Sequence, residues 1–547
     1  MSSAAAEPGR TGRTDVYDEK VPVLIVGGGL AGLSAAVFLA WHGVTSTLVE
    51  RHPDTSTHPK ARAINPRTME LYRAVGMEDA VRAGRSPISG NTDLVHVETL
   101  AGRERVRMPN ASPAALDRIS PTGWTLIDQN QLEPILRRRA AEVGADVRFH
   151  TELTALAEVD GGVLATLVDR ATGSVRRVLA EYVVAADGSR SPMRELLGVG
   201  HHGRGTITNL VSFFFHADLR SALRGRRIIA AYVNNPEVRG TIIPIDNEKR
   251  WVFNVSFFPE RGERAEDFDE ERCVRLARAA VGVPDLAVEI EHTGMPAWDI
   301  SAKVADRMSA GRVFFAGDAA HVMPPTGAFG ASTGIQDAYN LAWKLAFVQR
   351  GWAGPGLLDS YDTERRPVAE ETVRQAMLRF AVREGKQLSD VAADLVSEET
   401  MTFGYRYPAG AFMREGAAGA LLEDPDRPTG RPGARAPHVV LDDDGSPLST
   451  IDLFGRGLVL LARSGGGDWA PAAAAAAADL GVPVEVRTVG DPGPLRDPGA
   501  QFDPRYGTGP GGASLVRPDG FVAWRTVAFP ADPAGALAQA LRTVLAV

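Results

Sequence analysis

The feature that most constrains this chain is a glycine-rich turn near its start, in the stretch VPVLIVGGGLAGLSAAVFLA. Residues 21–26 have the length and apolar character of a buried strand, and residues 30–40 resume with helical spacing. Between them, Gly27-x-Gly29-x-x-Gly32 permits a tight turn, close backbone approach to a pyrophosphate and close packing of helix on strand. We therefore predict an α/β fold that binds a dinucleotide at this turn.

A second predicted strand, TSTLVE (45–50), supports this interpretation. It ends at Glu50, eighteen residues beyond Gly32, where an acid that binds a ribose is expected. Leu30 and Ala31, inside the glycine motif, and Arg51, directly after the acid, join these residues as candidate cofactor contacts. The alternative is a glycine-rich turn that only packs, which would not require the second strand and its acid.

Composition excludes several classes of protein. The segment 21–40 is uncharged, but its glycine break and the acidic residues before it do not fit a membrane span or signal peptide. A net charge of −8 without a block of like charge disfavours nucleic-acid binding. The single cysteine, Cys273, excludes an intramolecular disulfide and a cysteine-based zinc site. We expect a soluble cytoplasmic protein without a bound metal, present as a monomer or homodimer.

The pattern of apolar runs, turn residues and helical spacing divides the chain into successive units. The β-rich stretch lacks intervening helices, which indicates an antiparallel sheet inserted into the α/β framework. We predict a disordered tail at 1–19, a framework at 20–204 and 300–421, an inserted β-sheet at 205–299, a linker at 422–437 and a small α/β domain at 438–547.

Two further motifs extend the predicted binding site. In YVVAADGSRSPMREL (182–196) a strand runs into Asp187-Gly188. In residues 311–346 a strand ends at Gly317-Asp318, and a Pro-Pro-Thr-Gly turn then precedes a second helix. A second helix N-terminus offers more free N–H groups, and Asp318 could accept hydrogen bonds from a polyol. The ligand is expected to be longer than one nucleotide, while the glycines alone leave NAD and FAD open.

These three motifs, in this order, resemble the FAD-dependent aromatic hydroxylases of the p-hydroxybenzoate hydroxylase type over roughly residues 20–400. The last part of the chain is similar to the thioredoxin-like tail of phenol and polyketide hydroxylases, here without redox cysteines. The stretches YVNNPEVRGTI and RYGTGPGGASLVRPDGFVAWRT resemble oxygenases that tailor aromatic polyketides, such as the aklavinone and tetracenomycin hydroxylases. One departure is Ser332, which stands where many relatives have asparagine.

The resemblance implies bound FAD and a transient visit by NADPH or NADH. The FAD contacts it implies are Gly27, Gly29 and Gly32 at the pyrophosphate, Glu50 at the adenosine ribose, Arg62 at the flavin or its phosphates, Gln129 before an LE pair, the backbone near Leu153 beside the adenine, Asp187 (linked also to NADPH), Asp318 at the ribityl chain, and Pro325, Gly327 and Ser332 along the isoalloxazine.

The resemblance also implies a reaction. Reduced flavin and O2 would give a C4a-hydroperoxide, which an electron-rich phenol attacks. Tyr232 and Arg383 match a catalytic pair in the aklavinone-type enzymes, with Tyr232 relaying the phenolic proton and Arg383 stabilising negative charge. A strand tyrosine that only packs and a solvated helical arginine are the alternative. His321 is expected to be structural and Trp298 to lie in the core.

The predicted function is hydroxylation of a polycyclic phenol or quinone, in particular an aromatic polyketide, by a single-component flavin monooxygenase. Baeyer–Villiger insertion or oxidative rearrangement of a polycyclic ketone remains open, because the same flavin chemistry can act as an electrophile or a nucleophile. A flavin-binding protein without turnover is the third alternative.

Overall fold

The computed structural model describes residues 17–109, 116–291, 296–416, 419–491 and 493–547. Most of the predicted tail lies outside this range, and its last residue, Glu19, already belongs to a strand. The strands are β1 (Glu19–Val26), β2 (Ser46–Val49), β3 (Asp93–Val97), β4 (Glu104–Pro109), β5 (Asp146–Arg148), β6 (Thr151–Val159), β7 (Gly162–Asp169), β8 (Val175–Ala185), β9 (His201–His216), β10 (Ile228–Asn234), β11 (Arg239–Pro244), β12 (Arg250–Phe257), β13 (Glu289–Ile290), β14 (Ala297–Ala305), β15 (Ser309–Ala310), β16 (Val313–Phe315), β17 (His321–Val322), β18 (Val440–Asp443), β19 (Ser446–Ser449), β20 (Leu458–Arg463), β21 (Val484–Val489), β22 (Leu495–Arg496), β23 (Gly511–Val516) and β24 (Val522–Ala528).

The α-helices alternate with the strands in the first and last parts of the chain. Across the described ranges, none of them combines the length and apolar composition needed to cross a membrane. The helices are α1 (Leu30–Trp41), α2 (Pro66–Ala74), α3 (Glu78–Ala83), α4 (Gln129–Glu142), α5 (Pro192–Leu196), α6 (Arg220–Leu223), α7 (Glu270–Val281), α8 (Phe329–Gln349), α9 (Ser360–Arg383), α10 (Glu398–Phe403), α11 (Trp469–Leu480), α12 (Phe502–Tyr506) and α13 (Pro533–Leu545).

The first sheet has the order β15-β16-β8-β1-β2-β5, with β6 and β7 attached beside β8. Its central strands β16, β8, β1 and β2 are parallel and buried, as their unbroken apolar runs predict. Their last residues are register partners: Phe315, Ala185, Val26 and Val49. The motifs that follow these strands in sequence therefore meet at one edge of the sheet.

The second sheet is the predicted β-rich unit and has the order β17-β14-β9-β12-β11-β10-β3-β4, with β13 beside β9. Helix α7 covers one face, where Trp251, Phe253 and Cys273 are buried in a common core. Strands β3, β4 and β17 join from outside residues 205–299. Short strands far apart in sequence are recognised only once their partners are known, so the sequence pattern missed them.

The third sheet, with the order β19-β18-β22-β21-β20-β23-β24, forms the C-terminal α/β unit with α11 and α13. Its core is continuous with α8, because Trp343 and Phe347 pack in one cluster with Trp469 and Leu537. Three sheets, two of them mixed or parallel and one largely antiparallel, confirm the predicted α/β class with an inserted sheet and a C-terminal α/β unit.

A buried ionic cluster joins this C-terminal unit to the rest of the molecule. Glu364 of α9 accepts hydrogen bonds from the Arg517 guanidinium at 2.6 and 2.8 Å and from the Lys344 ammonium at 2.7 Å. All three side chains are fully buried. Burial by itself raises the pKa of Glu364, but the two cations outweigh it and lower the pKa to about 2.

We expect Glu364→Gln to destabilise the protein by about 3–5 kcal/mol, because it leaves Lys344 buried without a carboxylate and Arg517 with that of Asp519 alone. The measurement is the thermal midpoint at a fixed scan rate. Asp479→Asn, which removes an exposed carboxylate paired with Arg542, is the control and should change the midpoint little.

The difference between wild type and Glu364→Gln should also depend on pH. A folded-state pKa below the unfolded value means that ionised Glu364 stabilises the fold at pH values above the ordinary glutamate range. That stabilisation is lost as pH falls from about 4.5 towards about 2. Equal midpoints of the two proteins at neutral pH would contradict this account.

Candidate functional site

The glycine-rich turn forms an anion site at the start of α1. Gly29 occupies the N-cap without a side-chain hydrogen bond, and the first bond inside the helix runs from the Leu33 N–H to the Gly29 carbonyl. The N–H groups of Leu30, Ala31 and Gly32 thus have no partner within the helix. Together with the helix dipole they favour a phosphate or pyrophosphate at this position.

The glycines of this turn are required by close backbone contacts. Gly27 has a φ of +111°, and a Cβ there would lie 2.2 Å from the Ala186 carbonyl oxygen. A Cβ on Gly32 would lie 1.9 Å from the Gly27 carbonyl oxygen. The backbone therefore closes on itself beneath the helix terminus and leaves the outer side of the turn open to a ligand.

Glu50, directly after β2, lies against this turn. Its Oε2 accepts a hydrogen bond from the Gly28 N–H at 2.7 Å, which holds the carboxylate beside the phosphate site. The neighbouring Arg51 is exposed. A carboxylate fixed next to a pyrophosphate site is suited to accept hydrogen bonds from the hydroxyls of a ribose.

The second glycine-rich turn lies at the end of β16. A Cβ on Gly334, in the first turns of α8, would lie 2.7 Å from the Cα of Gly317. The helix is therefore in direct contact with the turn at Gly317-Asp318, which we call the GD turn. Asp318 is exposed to solvent beside the N-termini of α1 and α8, a region that we call the cleft. Protein nevertheless surrounds it closely enough that desolvation raises the pKa of its carboxyl group. An acid in this setting is suited to bind the hydroxyls of a polyol.

Asp337 fixes the GD turn from below. It is fully buried and accepts hydrogen bonds from the Gly317 N–H at 3.1 Å and from the Arg365 guanidinium at 2.8 Å. The His321 Nε2 lies 2.7 Å from the second carboxylate oxygen. His321 is thus a buried structural partner, as expected from the sequence, and the three contacts connect the turn to β17 and to α9.

The segment before α8 presents main chain to the same cleft. Pro325 is exposed, and Gly327 and Ala328 have φ values of +77° and +52°. Ala328 is the N-cap of α8 and makes no side-chain hydrogen bond there, so the first N–H groups of the helix lack a partner from the N-cap side chain. Ser332 is fully buried, and its Oγ accepts a hydrogen bond from the Asn65 N–H at 3.2 Å.

Two predicted contacts serve the protein scaffold in this structure. Asp187 accepts hydrogen bonds from the Ser191 hydroxyl at 2.7 Å and the Met193 N–H at 3.0 Å, and desolvation raises the pKa of its carboxyl group. Arg62 donates two hydrogen bonds to the Asp128 carboxylate, at 2.7 and 3.1 Å, and a third to the Pro244 carbonyl oxygen.

Gln129 and Leu153 complete the set of predicted cofactor contacts. Gln129 donates from Nε2 to Oε1 of Glu133 at 2.6 Å, and Leu153 lies partly buried in β6. Glu133 is buried, accepts a hydrogen bond from the Ser56 N–H and lies beside Gly29. Burial raises the pKa of this carboxyl group. Glu133 is the acid of the LE pair, yet the sequence pattern did not mark it as a site residue.

The predicted catalytic pair is in direct contact. The Arg383 guanidinium, at the end of α9, stacks 3.9 Å from the centroid of the Tyr232 ring and donates a hydrogen bond to the Thr241 hydroxyl at 2.6 Å. The His96 ring packs 4.8 Å from the Tyr232 ring, and burial together with the charge of Arg383 lowers the pKa of His96. These side chains lie on the face of the second sheet turned away from α7, which we call the pocket face.

Helix α9 connects the pocket face to the glycine turn before α8. The Thr326 hydroxyl donates a hydrogen bond to the Ala376 carbonyl oxygen at 2.7 Å, and the Arg379 guanidinium lies 5.2 Å from the centroid of the Phe329 ring. One helix turn further on, the same helix reaches Tyr232 through Arg383. The cleft therefore has a dinucleotide-type cradle on one side and a cation-stacked phenol on the other.

This arrangement fits FAD. Two helix termini with free N–H groups, an acid beside the first and a second acid in the cleft match a ligand with a pyrophosphate, a ribose and a second polyol. No cluster of three or more metal-ligating side chains occurs within the described ranges.

The comparisons with known proteins agree. The chain matches the FAD binding domain family over residues 20–376 and the C-terminal domain of aromatic-ring hydroxylases over residues 429–546. It belongs to the FAD-dependent aromatic-ring hydroxylases, and FAD is its cofactor.

Its relatives include the tetracenomycin A2 monooxygenase-dioxygenase of Streptomyces glaucescens, 43% identical over 96% of this chain and 97% of that protein. The aklavinone 12-hydroxylase of Streptomyces purpurascens is 41% identical, over 96% and 99% of the two chains. The solved structure of an aklavinone-11 hydroxylase with FAD and aklavinone has a TM-score of 0.89 and 41% identity, over 97% of this chain and 100% of that one. These relatives confirm the predicted class of enzyme, a flavin-dependent aromatic monooxygenase.

The sequence did not predict the positions or roles of several residues of the pocket face. Trp298 was expected in the core, but its side chain is 37% exposed and its indole N–H donates to the Ser212 hydroxyl. His96, Thr241 and Asn254 carried no motif. The available signal was the alternation of apolar and polar residues along each strand, which marks the face but not the register.

We expect Gly32→Ala to abolish retention of FAD, because the new Cβ would collide with the Gly27 carbonyl beneath the phosphate site. The measurement is flavin absorbance per protein after purification. Gly457→Ala is the matched control, since a Cβ there meets no atom within 4 Å. A Gly32→Ala protein with full flavin content would contradict the role of this turn.

Proposed function

We propose that this enzyme hydroxylates a polycyclic aromatic phenol or quinone of the aromatic polyketide class, with NAD(P)H as reductant and O2 as oxidant. The observation that supports this proposal is the stacking of Arg383 on Tyr232, on a sheet face linked through α9 to the turn before α8. The names of the relatives support the same substrate class, since two of them act on aklavinone or a tetracenomycin.

The residues that would hold FAD follow from the cleft. Gly27, Gly29 and the first N–H groups of α1 bind the pyrophosphate, Glu50 binds the adenosine ribose, and Asp318 binds the ribityl hydroxyls. The main chain around Gly327 lies along the flavin ring. FAD, when bound, would supply the redox chemistry that uses the electrons of NAD(P)H and O2 to transfer one oxygen atom to the substrate and release the other as water.

The protein's own contribution is to make the substrate ring electron-rich at the right position. A phenol reacts faster as its hydroxyl loses a proton, and Tyr232, which is partly exposed, accepts that proton at its hydroxyl oxygen while releasing its own proton to solvent. The positive charge of Arg383, partly shielded from water, stabilises the phenolate that results. Burial and the charge of Arg383 lower the pKa of His96, which favours its neutral form beside Tyr232.

We expect Tyr232→Phe to lower the rate of product formation on the order of 100-fold, the contribution of a positioned proton-transfer group. Flavin content should remain unchanged, and NADPH oxidation should continue with release of hydrogen peroxide. The measurement combines stopped-flow absorbance with product mass, using a panel of anthraquinone and naphthacenequinone phenols.

A wild-type product one oxygen atom heavier with an unchanged carbon skeleton is the result expected of a hydroxylase. An inserted ring oxygen would instead identify Baeyer–Villiger chemistry. Absence of any ligand-stimulated NADPH oxidation across the panel would contradict the enzyme assignment, and an unaffected Tyr232→Phe enzyme would contradict the role of the tyrosine.

We expect Arg383→Gln to raise the pH at which a bound hydroxyanthraquinone ionises by about one unit, because a nearby positive charge favours the phenolate. The colour change of the ligand on ionisation reports this directly in a pH titration of the anaerobic complex. Arg379→Gln, one helix turn away on α9, is the matched control. A ligand that ionises at the same pH in wild type and Arg383→Gln would exclude the proposed electrostatic role.

A further inference from the structure

A continuous row of polar side chains crosses the pocket face. His96, Tyr232, Thr241, Asn254 and Ser212 are successive register partners on β3, β10, β11, β12 and β9. Five adjacent strands therefore contribute one polar residue each at the same level of the sheet. Only the Tyr232 end of this row has a role in the function proposed above.

The neighbouring row, one step along the same strands and on the same face, is apolar. It consists of Ile243, Val252 and Phe214, again successive register partners. Val252 and Phe214 are buried, and the Phe214 ring contacts His58 of the FAD-binding part. The apolar row thus packs against the FAD-binding part of the molecule at Phe214. The polar row, by contrast, includes partly exposed residues such as Tyr232 and Asn254.

Hydrogen-bond chemistry fixes the direction of the chain at one end of the polar row. The Trp298 indole N–H, which can only donate, is 2.7 Å from the Ser212 hydroxyl oxygen. Ser212 donates its single hydroxyl proton to Asn254 Oδ1, at 2.6 Å. The amide oxygen of Asn254 is thereby occupied, and its NH2 group has no acceptor among the described residues.

At the other end of the polar row, Thr241 has the Arg383 guanidinium as its partner. The Arg383 guanidinium can only donate, so the Thr241 oxygen accepts from it and the Thr241 hydroxyl proton remains to be donated elsewhere. Thr241 and Asn254 are direct neighbours in the ladder. Two chains that begin at donor-only groups thus converge, and each ends in an unused donor at the centre of the pocket face.

We propose that Thr241 and Asn254 form a donor site that binds an acceptor oxygen of the substrate, a quinone or ketone carbonyl remote from the reacting phenol. This proposal rests on the proposed function and adds the group by which the enzyme recognises its substrate. Asn254 is two strands from Tyr232, about 10 Å. A polycyclic ligand spans this distance and a single-ring phenol does not, so the site selects for fused-ring quinones.

The test is anaerobic binding to the oxidised holoenzyme, followed by the change in the flavin spectrum. The two probes are 1,8-dihydroxyanthraquinone and 1,8-dihydroxyanthracene, which share the fused rings and both phenols but carry C=O and C–H groups, respectively, at C9 and C10. We expect wild type to prefer the quinone by about 10-fold or more, since the bound analogue shields the Thr241 and Asn254 donors from water without pairing them. Asn254→Leu should abolish most of this preference while changing the affinity for the analogue less.

Asn254→Asp provides a second variant of nearly the same shape. It retains the acceptor for Ser212 but replaces the donating NH2 with a carboxylate oxygen, which repels a carbonyl oxygen. It should weaken quinone binding further than Asn254→Leu does. Ser256→Ala, on the same face of β12 two residues away, is the matched control and should retain the wild-type preference. Flavin content and thermal midpoint verify that each variant is folded.

The outcomes are distinguishable. Retention of the quinone preference in folded Asn254→Asp, or no preference in wild type, overturns the donor site while leaving the hydroxylase assignment intact, provided that the quinone still stimulates NADPH oxidation. If the quinone neither binds wild type nor stimulates NADPH oxidation, the proposed function fails and the donor site fails with it.

Discussion

The buried carboxylate of Asp337 is the interaction on which the geometry of the site depends. It holds the backbone N–H of the GD turn, the ring of His321 on β17 and the guanidinium of Arg365 on α9. These contacts belong, respectively, to the cofactor cradle, the second sheet and the helix that carries Arg383. The contacts with His321 and the Arg365 guanidinium outweigh the effect of burial and lower the pKa of Asp337, so the carboxylate form is favoured at this junction. Breaking this junction would leave unpaired charge in the core, which is costly. The junction therefore holds the cofactor cradle and the pocket face in a fixed relative position.

The C-terminal unit contributes to the same rigidity. Arg517 reaches Glu364 on α9, and Arg67 at the start of α2 donates to the Asp519 carbonyl oxygen at 2.6 Å. The segment predicted as a linker is also packed, since Arg435 forms a buried ion pair with Glu70. A domain without cysteines is therefore connected through buried charges to helices that flank the cofactor site, which explains its presence in a single-chain enzyme better than redox activity does.

Much of the cofactor side was predictable because its chemistry is local in sequence. The glycine turn, Glu50 and the GD motif each follow a strand directly, and parallel pairing brings strand ends to one edge. The pocket face was less accessible. The contact between Tyr232 and Arg383 was proposed from resemblance, whereas Thr241, Asn254 and Ser212 carry no motif. Their alignment depends on antiparallel register, and a slip of one residue would turn each of them to the opposite face.

The sequence by itself determined the α/β class, the dinucleotide cradle and the absence of an intramolecular disulfide, because glycine spacing, strand ends and the single cysteine are properties of short segments or of composition. Only the tertiary structure decided which strands join the second sheet, which carboxylates become buried junctions and in which direction hydrogen bonds run along the pocket face. Those properties arise from pairings between residues far apart in the chain, such as Trp298 with Ser212 and Arg383 with Thr241. Each of these side chains acquires its role from the partner that the fold brings to it.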